Sequence, residues 1–228
     1  MLYSLLMTKT STNTTRTGWF IFFFSVVGFT ASTLLLREEI RAQSDSSYTP
    51  ICSVNEVIDC GTVMNSWQSE VFGFPSVYLG VAGFIVFIII SLLYALGYKL
   101  SKYVWALMQA GVVFAVIFTA WMMWVAIMDI KTLCLFCMVV WACVIPLNTL
   151  VYSITVRDYL SLDNLGNAVG KYWFAETLVE YLIVAALIAH FVLNMSSLWF
   201  LAAIFLIGVL SGWGWLRKIL KEKEMSSV

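Results

Sequence analysis

Four cysteines in two pairs carry the reactive chemistry of this sequence: Cys52 and Cys60, eight residues apart, and Cys134 and Cys137 in the run Cys134-Leu-Phe-Cys137. Helical positions three apart share one face, one turn from each other, so Cys134 and Cys137 would present their sulfurs side by side. At a helix N-terminus the first amide N–H groups lack intrahelical acceptors, and with the helix dipole they stabilise a thiolate. A low thiol pKa favours attack at neutral pH and makes the same sulfur a better leaving group. That pair suits gain and loss of electrons, with nearby Lys131 reinforcing the effect and Asp129 opposing it. Other uses of the four sulfurs stay open at this level. All four could form structural disulfides, although a crosslink inside one helical turn constrains little. Four thiolates could bind zinc, yet a spacing of eight is too wide for a knuckle. Cys143 reads as a buried apolar side chain.

The elements that must position these sulfurs are membrane helices. The 228 residues are 61% hydrophobic and 11% charged, with a mean hydropathy of +0.91, far more apolar than a soluble domain. Thirteen basic residues balance thirteen acidic ones, so no basic surface for nucleic acid is expected. Six segments are long and apolar enough to span, each needing about 20 residues: Gly18–Leu36, Ser76–Leu96, Val104–Met128, Leu133–Val156, Phe174–Leu193 and Leu198–Leu216. Lipid cannot satisfy bare peptide groups, so these runs should be helices. The first run lacks a small-residue cleavage site and reads as a retained span, not a signal peptide. The last two segments could instead form a hairpin that only partly crosses.

A cytoplasmic N-terminus puts Lys9, Arg16, Lys99, Lys102, Arg157, Lys171, Arg217, Lys218, Lys221 and Lys223 inside and only Arg37, Arg41 and Lys131 outside, ten against three. That is a positive-inside bias. It divides the chain into a cytoplasmic segment 1–17, a four-helix core 18–156 with an outer loop 37–75, additional transmembrane helices over 157–216, and a basic cytoplasmic tail 217–228. The outer loop carries Arg37, Glu38, Glu39, Arg41, Asp45, Glu56, Asp59 and Glu70. From Ile51 onward it regains apolar residues at a spacing that predicts a short helix lying back on the bundle. Both cysteine pairs then lie on the outer side, where disulfides persist in bacteria.

The order and spacing of several motifs extend this reading. Cys52 and Cys60 follow the first span; Cys60-Gly-Thr-Val-Met-Asn-Ser66 and Phe72-Gly-Phe-Pro75 lead into the second, with Gly80 near its start; Cys134-Leu-Phe-Cys137 opens the fourth. Over roughly Gly18 to Tyr152 the sequence resembles the bacterial homologues of vitamin K epoxide reductase. The resemblance implies an all-α membrane fold, a four-helix bundle holding a quinone (menaquinone or ubiquinone) beside the Cys-x-x-Cys. It implies that Cys137 faces the quinone, that Cys134 exchanges with Cys60, and that Cys52/Cys60 is a shuttle disulfide offered to an extracytoplasmic thioredoxin-fold (DsbA-like) protein. Ser66 matches a serine of the family, with polar support of the site as its implied role; an ordinary capping or loop hydroxyl is the alternative. The expected location is a bacterial cytoplasmic membrane with the active site on its extracytoplasmic face.

Two features depart from the family. Where vertebrate members carry a tyrosine four residues after the second motif cysteine, this chain has Trp141, which can stack on a quinone and donate one N–H. The residues after Tyr152 continue as membrane helix instead of a fused thioredoxin-like domain, so the redox partner is expected to be a separate protein. Phe72, Phe74, Phe136, Met138 and Trp141 are candidate walls of the quinone site, with helix packing as the plainer role of the first four. His190 reads as an interfacial side chain, and Glu176 and Glu180 as headgroup-level residues. A DsbB-like enzyme would place its Cys-x-x-Cys before the separated pair, the reverse of this order. A transporter with structural disulfides would need polar or broken spans, and little beyond Gln109 and scattered glycines supplies them.

Overall fold

The computed structural model describes residues 14–45, 47–55, 57–98, 100–158 and 163–191. Among these, every element is helical: α1 (Thr14–Ser44), α2 (Cys60–Met64), a 3-10 turn (Trp67–Glu70), α3 (Val77–Ala95), α4 (Lys102–Val125), a π-helical turn (Ala126–Ile130), α5 (Leu135–Asp158) and α6 (Asp163–Phe191). Five stretches are long and apolar enough to cross a bilayer: Arg16–Ser44, Val77–Ala95, Lys102–Ile130, Leu135–Val156 and Val169–Ala189. The protein is an all-α, multi-pass membrane protein. Its spans turn large apolar side chains outward, among them Phe23, Ile89, Leu107 and Ile117, as a bundle solvated by lipid tails does.

Element boundaries differ from the sequence expectation where apolarity and helicity part company. The apolar run ends at Leu36, but α1 continues to Ser44. Its 31 residues extend about 46 Å at 1.5 Å per residue, beyond a hydrocarbon core of about 30 Å. Arg37, Glu38, Glu39 and Arg41 are therefore helical and not part of the loop, and Arg41 in the last turn suits the dipole. The single short helix expected after Ile51 is two pieces, α2 and the 3-10 turn. Helix α6 begins at Asp163, well before the expected Phe174, because its first residues are polar but still helical. The expected sixth span Leu198–Leu216, the tail 217–228, the side chain of His190 and most of segment 1–17 lie outside the described residues.

The chain divides into two compact units, residues 1–174 and 175–228. In the first, α1 packs on α3 and α5, and α4 packs on α5. Small residues set the α1–α3 approach: a Cβ on Gly28 would lie 2.3 Å from the Phe84 ring, and one on Gly18 2.8 Å from the Ala95 backbone. Lipid offers no hydrophobic drive for helix association, so this close van der Waals contact does the work. Ile21, Phe84, Trp105, Met108, Val112 and Leu147 form the centre of the apolar core, with Trp105 edge-on to Tyr94 at 4.8 Å. Cys143 is buried in the same cluster.

Candidate functional site

The site is assembled where the loop after α1 meets the start of α5. Because α5 begins at Leu135, Cys134 takes the N-cap position and Cys137 the third helical residue. The Cys137 N–H donates to Cys134 Sγ at 3.4 Å, and the Met138 N–H donates to the Cys134 carbonyl at 3.0 Å. The sulfur thus fills the role a serine or aspartate oxygen usually plays at a helix start. A hydrogen bond from the Cys137 thiol lowers the Cys134 pKa below its ordinary value; burial opposes this, and the backbone N–H groups of Cys137 and Phe136 add to it. The charge that reaches Cys134 from the loop is that of Asp59, which disfavours the thiolate. Lys131 and Asp129, flanking it in sequence, are exposed.

Cys52 and Cys60 form a disulfide with Cα atoms 5.6 Å apart. The sulfurs of Cys52, Cys60 and Cys134 all lie within 4.8 Å of one another, while Cys134 and Cys137 are free thiols. The juxtaposition comes from backbone pairing. The Asp59 N–H donates to the Leu133 carbonyl at 3.1 Å and the Leu133 N–H to the Val57 carbonyl at 2.8 Å. Asp59 immediately precedes Cys60 and Leu133 immediately precedes Cys134, so the pairing brings the two cysteines together.

Polar side chains fix the loop around this seam. Asp59 caps α2, accepting from the Gly61 N–H at 3.0 Å, the Thr62 hydroxyl at 2.5 Å and the Ser53 hydroxyl. The Ser53 and Thr62 hydrogen bonds hold its carboxyl below the usual range. Glu38, in the last two turns of α1, accepts from the Tyr48 hydroxyl at 2.7 Å and the Ile51 N–H at 3.0 Å. Beneath these, Cys52, Cys60, Val63 and Cys134 form a buried cluster flanked by Leu35, Met64, Phe136 and Cys137. Cys52 and Cys60 are only 1% and 0% exposed.

Below the cysteines lies a cavity of about 720 Å³ bordered by residues of α1, α3, α4 and α5, including Cys134, Cys137 and Trp141. Its walls are overwhelmingly apolar, with Ser32, Glu39, Ser69, Ser76 and Thr119 as polar exceptions. Of the five expected ring-contacting residues, Trp141 borders this space, one turn beyond Cys137. Phe136 packs in the cysteine cluster, and Met138 is half-buried outside the cavity wall. Phe72 and Phe74 are exposed, with the Phe72 ring 5.6 Å from Phe118, which does border the cavity. The Ser66 hydroxyl donates to the Val63 carbonyl at 2.6 Å, and it is the neighbouring Ser69 that reaches the cavity.

Sequence reasoning passed over Glu39, Ser32 and Phe118. The signal for Glu39 was present in the pair Glu38-Glu39, but its face could not be assigned without knowing that α1 runs past Leu36.

No curated protein matches the chain. The family model described as the vitamin K epoxide reductase family matches residues 19–152, more than half of the 228 residues. The matched stretch contains both cysteine pairs and every cavity residue named above. By that match, and in keeping with its paired sulfurs in a multi-pass helical bundle, the chain belongs to the vitamin K epoxide reductase family and is a membrane thiol oxidoreductase.

Proposed function

We propose that the protein takes electrons from a separate thioredoxin-fold (DsbA-like) protein outside a bacterial cytoplasmic membrane and delivers them to a membrane quinone, supporting disulfide formation. One arrangement carries the reading: the Cys52–Cys60 disulfide lies within 4.8 Å of Cys134 Sγ, and Cys134 and Cys137 border an apolar cavity. The distribution of basic residues supports an extracytoplasmic cysteine end. Residues 18–156 are the redox core, and the helices beyond it are accessory.

The residues present fit a quinone. A cavity of about 720 Å³ is in the range of ligand pockets, about 300–1,000 Å³, and its apolar walls suit an isoprenoid-bearing ring. Bound there, a quinone supplies a two-electron, two-proton acceptor. Trp141 can stack on the ring and donate its indole N–H, with Cys137 as the sulfur facing it. Ser66, Phe72, Phe74, Phe136 and Met138 support this arrangement from the surrounding shell.

The chain's own steps are thiol–disulfide exchanges. The donor's dithiol reduces Cys52–Cys60, forming the donor's disulfide. When Cys134 and Cys137 are joined, the Cys60 thiolate attacks Cys134 Sγ, and the Cys137 thiolate leaves. Cys52 then attacks Cys60, which re-forms Cys52–Cys60 and frees Cys134; its stabilised thiolate makes it a good leaving group. The state with Cys52–Cys60 bonded and Cys134 and Cys137 free is the one that follows this exchange. Re-forming the Cys134–Cys137 bond releases two electrons beside the cavity.

Purified protein in lipid vesicles, given quinone and a reduced thioredoxin-fold substrate, should consume both in equal amounts. Cys52→Ala, which lacks the resolving sulfur, should accumulate a Cys60–Cys134 mixed disulfide, detectable by mass spectrometry. The reading is wrong if all four single alanine variants keep full oxidase activity, or if labelling places the two pairs on opposite sides of the membrane.

A further inference from the structure

Glu38 and Glu39 are adjacent on α1 but face different surroundings. Glu38 clamps the loop through Tyr48 and Ile51. Glu39 is 6% exposed and borders the cavity that holds Cys134, Cys137 and Trp141. No hydrogen bond or cation among the described residues pairs its carboxyl. It interacts electrostatically with Cys137 of α5 and with Glu70 of the 3-10 turn, and Glu70 is exposed. An ionised carboxylate without a partner is costly in an apolar space, whereas the neutral acid is not. The neutral acid is also the form that can give a proton. A carboxyl so placed is poorly explained by packing, because a leucine would fill the same wall more cheaply.

We propose that Glu39 is the proton donor for quinone reduction and is recharged from water through the exposed Glu70. The proposal rests on the quinone-reducing reading of the cavity. Its chemistry balances: one Cys134 thiolate, one Cys137 thiol, one quinone and one neutral Glu39 give one Cys134–Cys137 disulfide, one hydroquinone and one Glu39 carboxylate. The two sulfurs lose two electrons to the quinone as the S–S bond forms. One proton on the hydroquinone comes from Cys137 and the other from Glu39. Because Cys134 reacts as the thiolate its N-cap position favours, it brings no proton, and Glu39 makes up the difference. The groups that set the charge around Glu39 are Cys134 and Cys137 on α5, Glu70 on the 3-10 turn, and Arg37, Glu38 and Arg41 on its own helix.

Glu39→Gln and Glu39→Asp separate this role from a structural one. In single-turnover measurements with the Cys134/Cys137 dithiol and a short-tailed quinone, Glu39→Gln should slow quinone reduction about 10²-fold and flatten the pH profile, with Glu39→Asp restoring part of the rate. In quinone-free protein, redox-difference infrared spectra should show a carboxylic acid band that responds to Cys134/Cys137 oxidation and vanishes in Glu39→Gln. The Cys60–Cys134 exchange, trapped in a Cys52→Ala background, should proceed equally with either residue at position 39. Wild-type quinone kinetics and an unchanged infrared difference in Glu39→Gln overturn the proton-donor role while leaving the quinone reading intact. Failure of the wild-type dithiol to reduce any quinone overturns that reading and this proposal with it.

Discussion

The cap that carries Cys52 and Cys60 and the bundle that carries Cys143 bury their sulfurs in opposite ways. In the bundle, Cys143 is one member of a large apolar core with Ile21, Phe84, Trp105 and Leu147, held by helix-on-helix contact as close as that at Gly28. In the cap, the buried centre is little more than Cys52, Cys60, Val63 and Cys134. Its fixation comes from a few polar contacts around Asp59 and Glu38. Apolar burial on this small scale and hydrogen bonds that are only part-buried or exposed mark a region that opens at low cost. The cap also has to open: Cys52 and Cys60 are 1% and 0% exposed, so a protein donor reaches the disulfide only when the loop lifts, whereas the cavity works only if the bundle keeps its shape.

The largest contrast should appear on removing sulfur from each region. Cys134→Ala takes away the free thiol that lies within 4.8 Å of both sulfurs of the Cys52–Cys60 disulfide and should abolish donor-to-quinone turnover, by at least about 10³-fold. Cys143→Ala removes a packed side chain and should cost about 1 kcal/mol of stability with turnover at the wild-type level. Equal losses from the two variants would erase the distinction between reactive and packing cysteines. The next effect tests rigidity. Gly28→Ala drives a methyl to 2.3 Å from the Phe84 ring and should destabilise the detergent-solubilised protein by about 1–3 kcal/mol. Gly83→Ala on α3, with nothing within 4 Å of the added carbon, should not, and a thermal-stability assay compares them directly.

The bundle was more readable from sequence than the cap, for physical reasons. Spans declare themselves by length and apolarity, and Cys134-Leu-Phe-Cys137 declares its shared face by spacing alone. What failed was whatever depends on non-local backbone pairing or on helix beyond lipid. The Val57–Leu133–Asp59 pairing that joins Cys60 to Cys134 leaves no trace in side-chain type. Helix α1 carries Glu39 into the cavity because it continues through eight residues, 37–44, that read as loop by charge. The cavity itself is a property of four helices at once, which explains why Trp141 was reached only through the family resemblance, at the position of the vertebrate tyrosine, while Phe118 was not anticipated.

A smaller effect should come from Asp59, the cap's central acceptor. Asp59→Ala removes the cap of α2 and should lower the cap's opening free energy by about 1–2 kcal/mol, seen as faster reduction of Cys52–Cys60 by a phosphine, which needs no thiolate. Hydrogen bonds from Ser53 and Thr62 depress this carboxyl in the closed state. Its contribution is therefore fully present above the open-state value, about pH 4, and is lost as pH falls through the lower closed-state value. Wild-type protection should weaken on acidification over that window, and the alanine variant should show no such step. An identical acid response in both would assign the effect to another group.

The smallest change isolates one hydrogen bond of the latch. Tyr48→Phe deletes the hydroxyl that donates to Glu38 at 2.7 Å and leaves the Ile51 N–H on the same carboxylate at 3.0 Å. Tyr48 is half-buried, so the phenyl ring keeps its packing and only the polar contact is lost. A bond to a charged acceptor in this partly solvated setting contributes on the order of 1 kcal/mol, which corresponds to about fivefold in the opening equilibrium. Reduction of Cys52–Cys60 by the phosphine should accelerate by that factor, while single-turnover quinone reduction by the Cys134/Cys137 dithiol, which proceeds beneath a closed cap, should stay constant. Were both rates to rise together, the cap and the cavity would share one motion, and the division between an opening lid and a rigid bundle would fail.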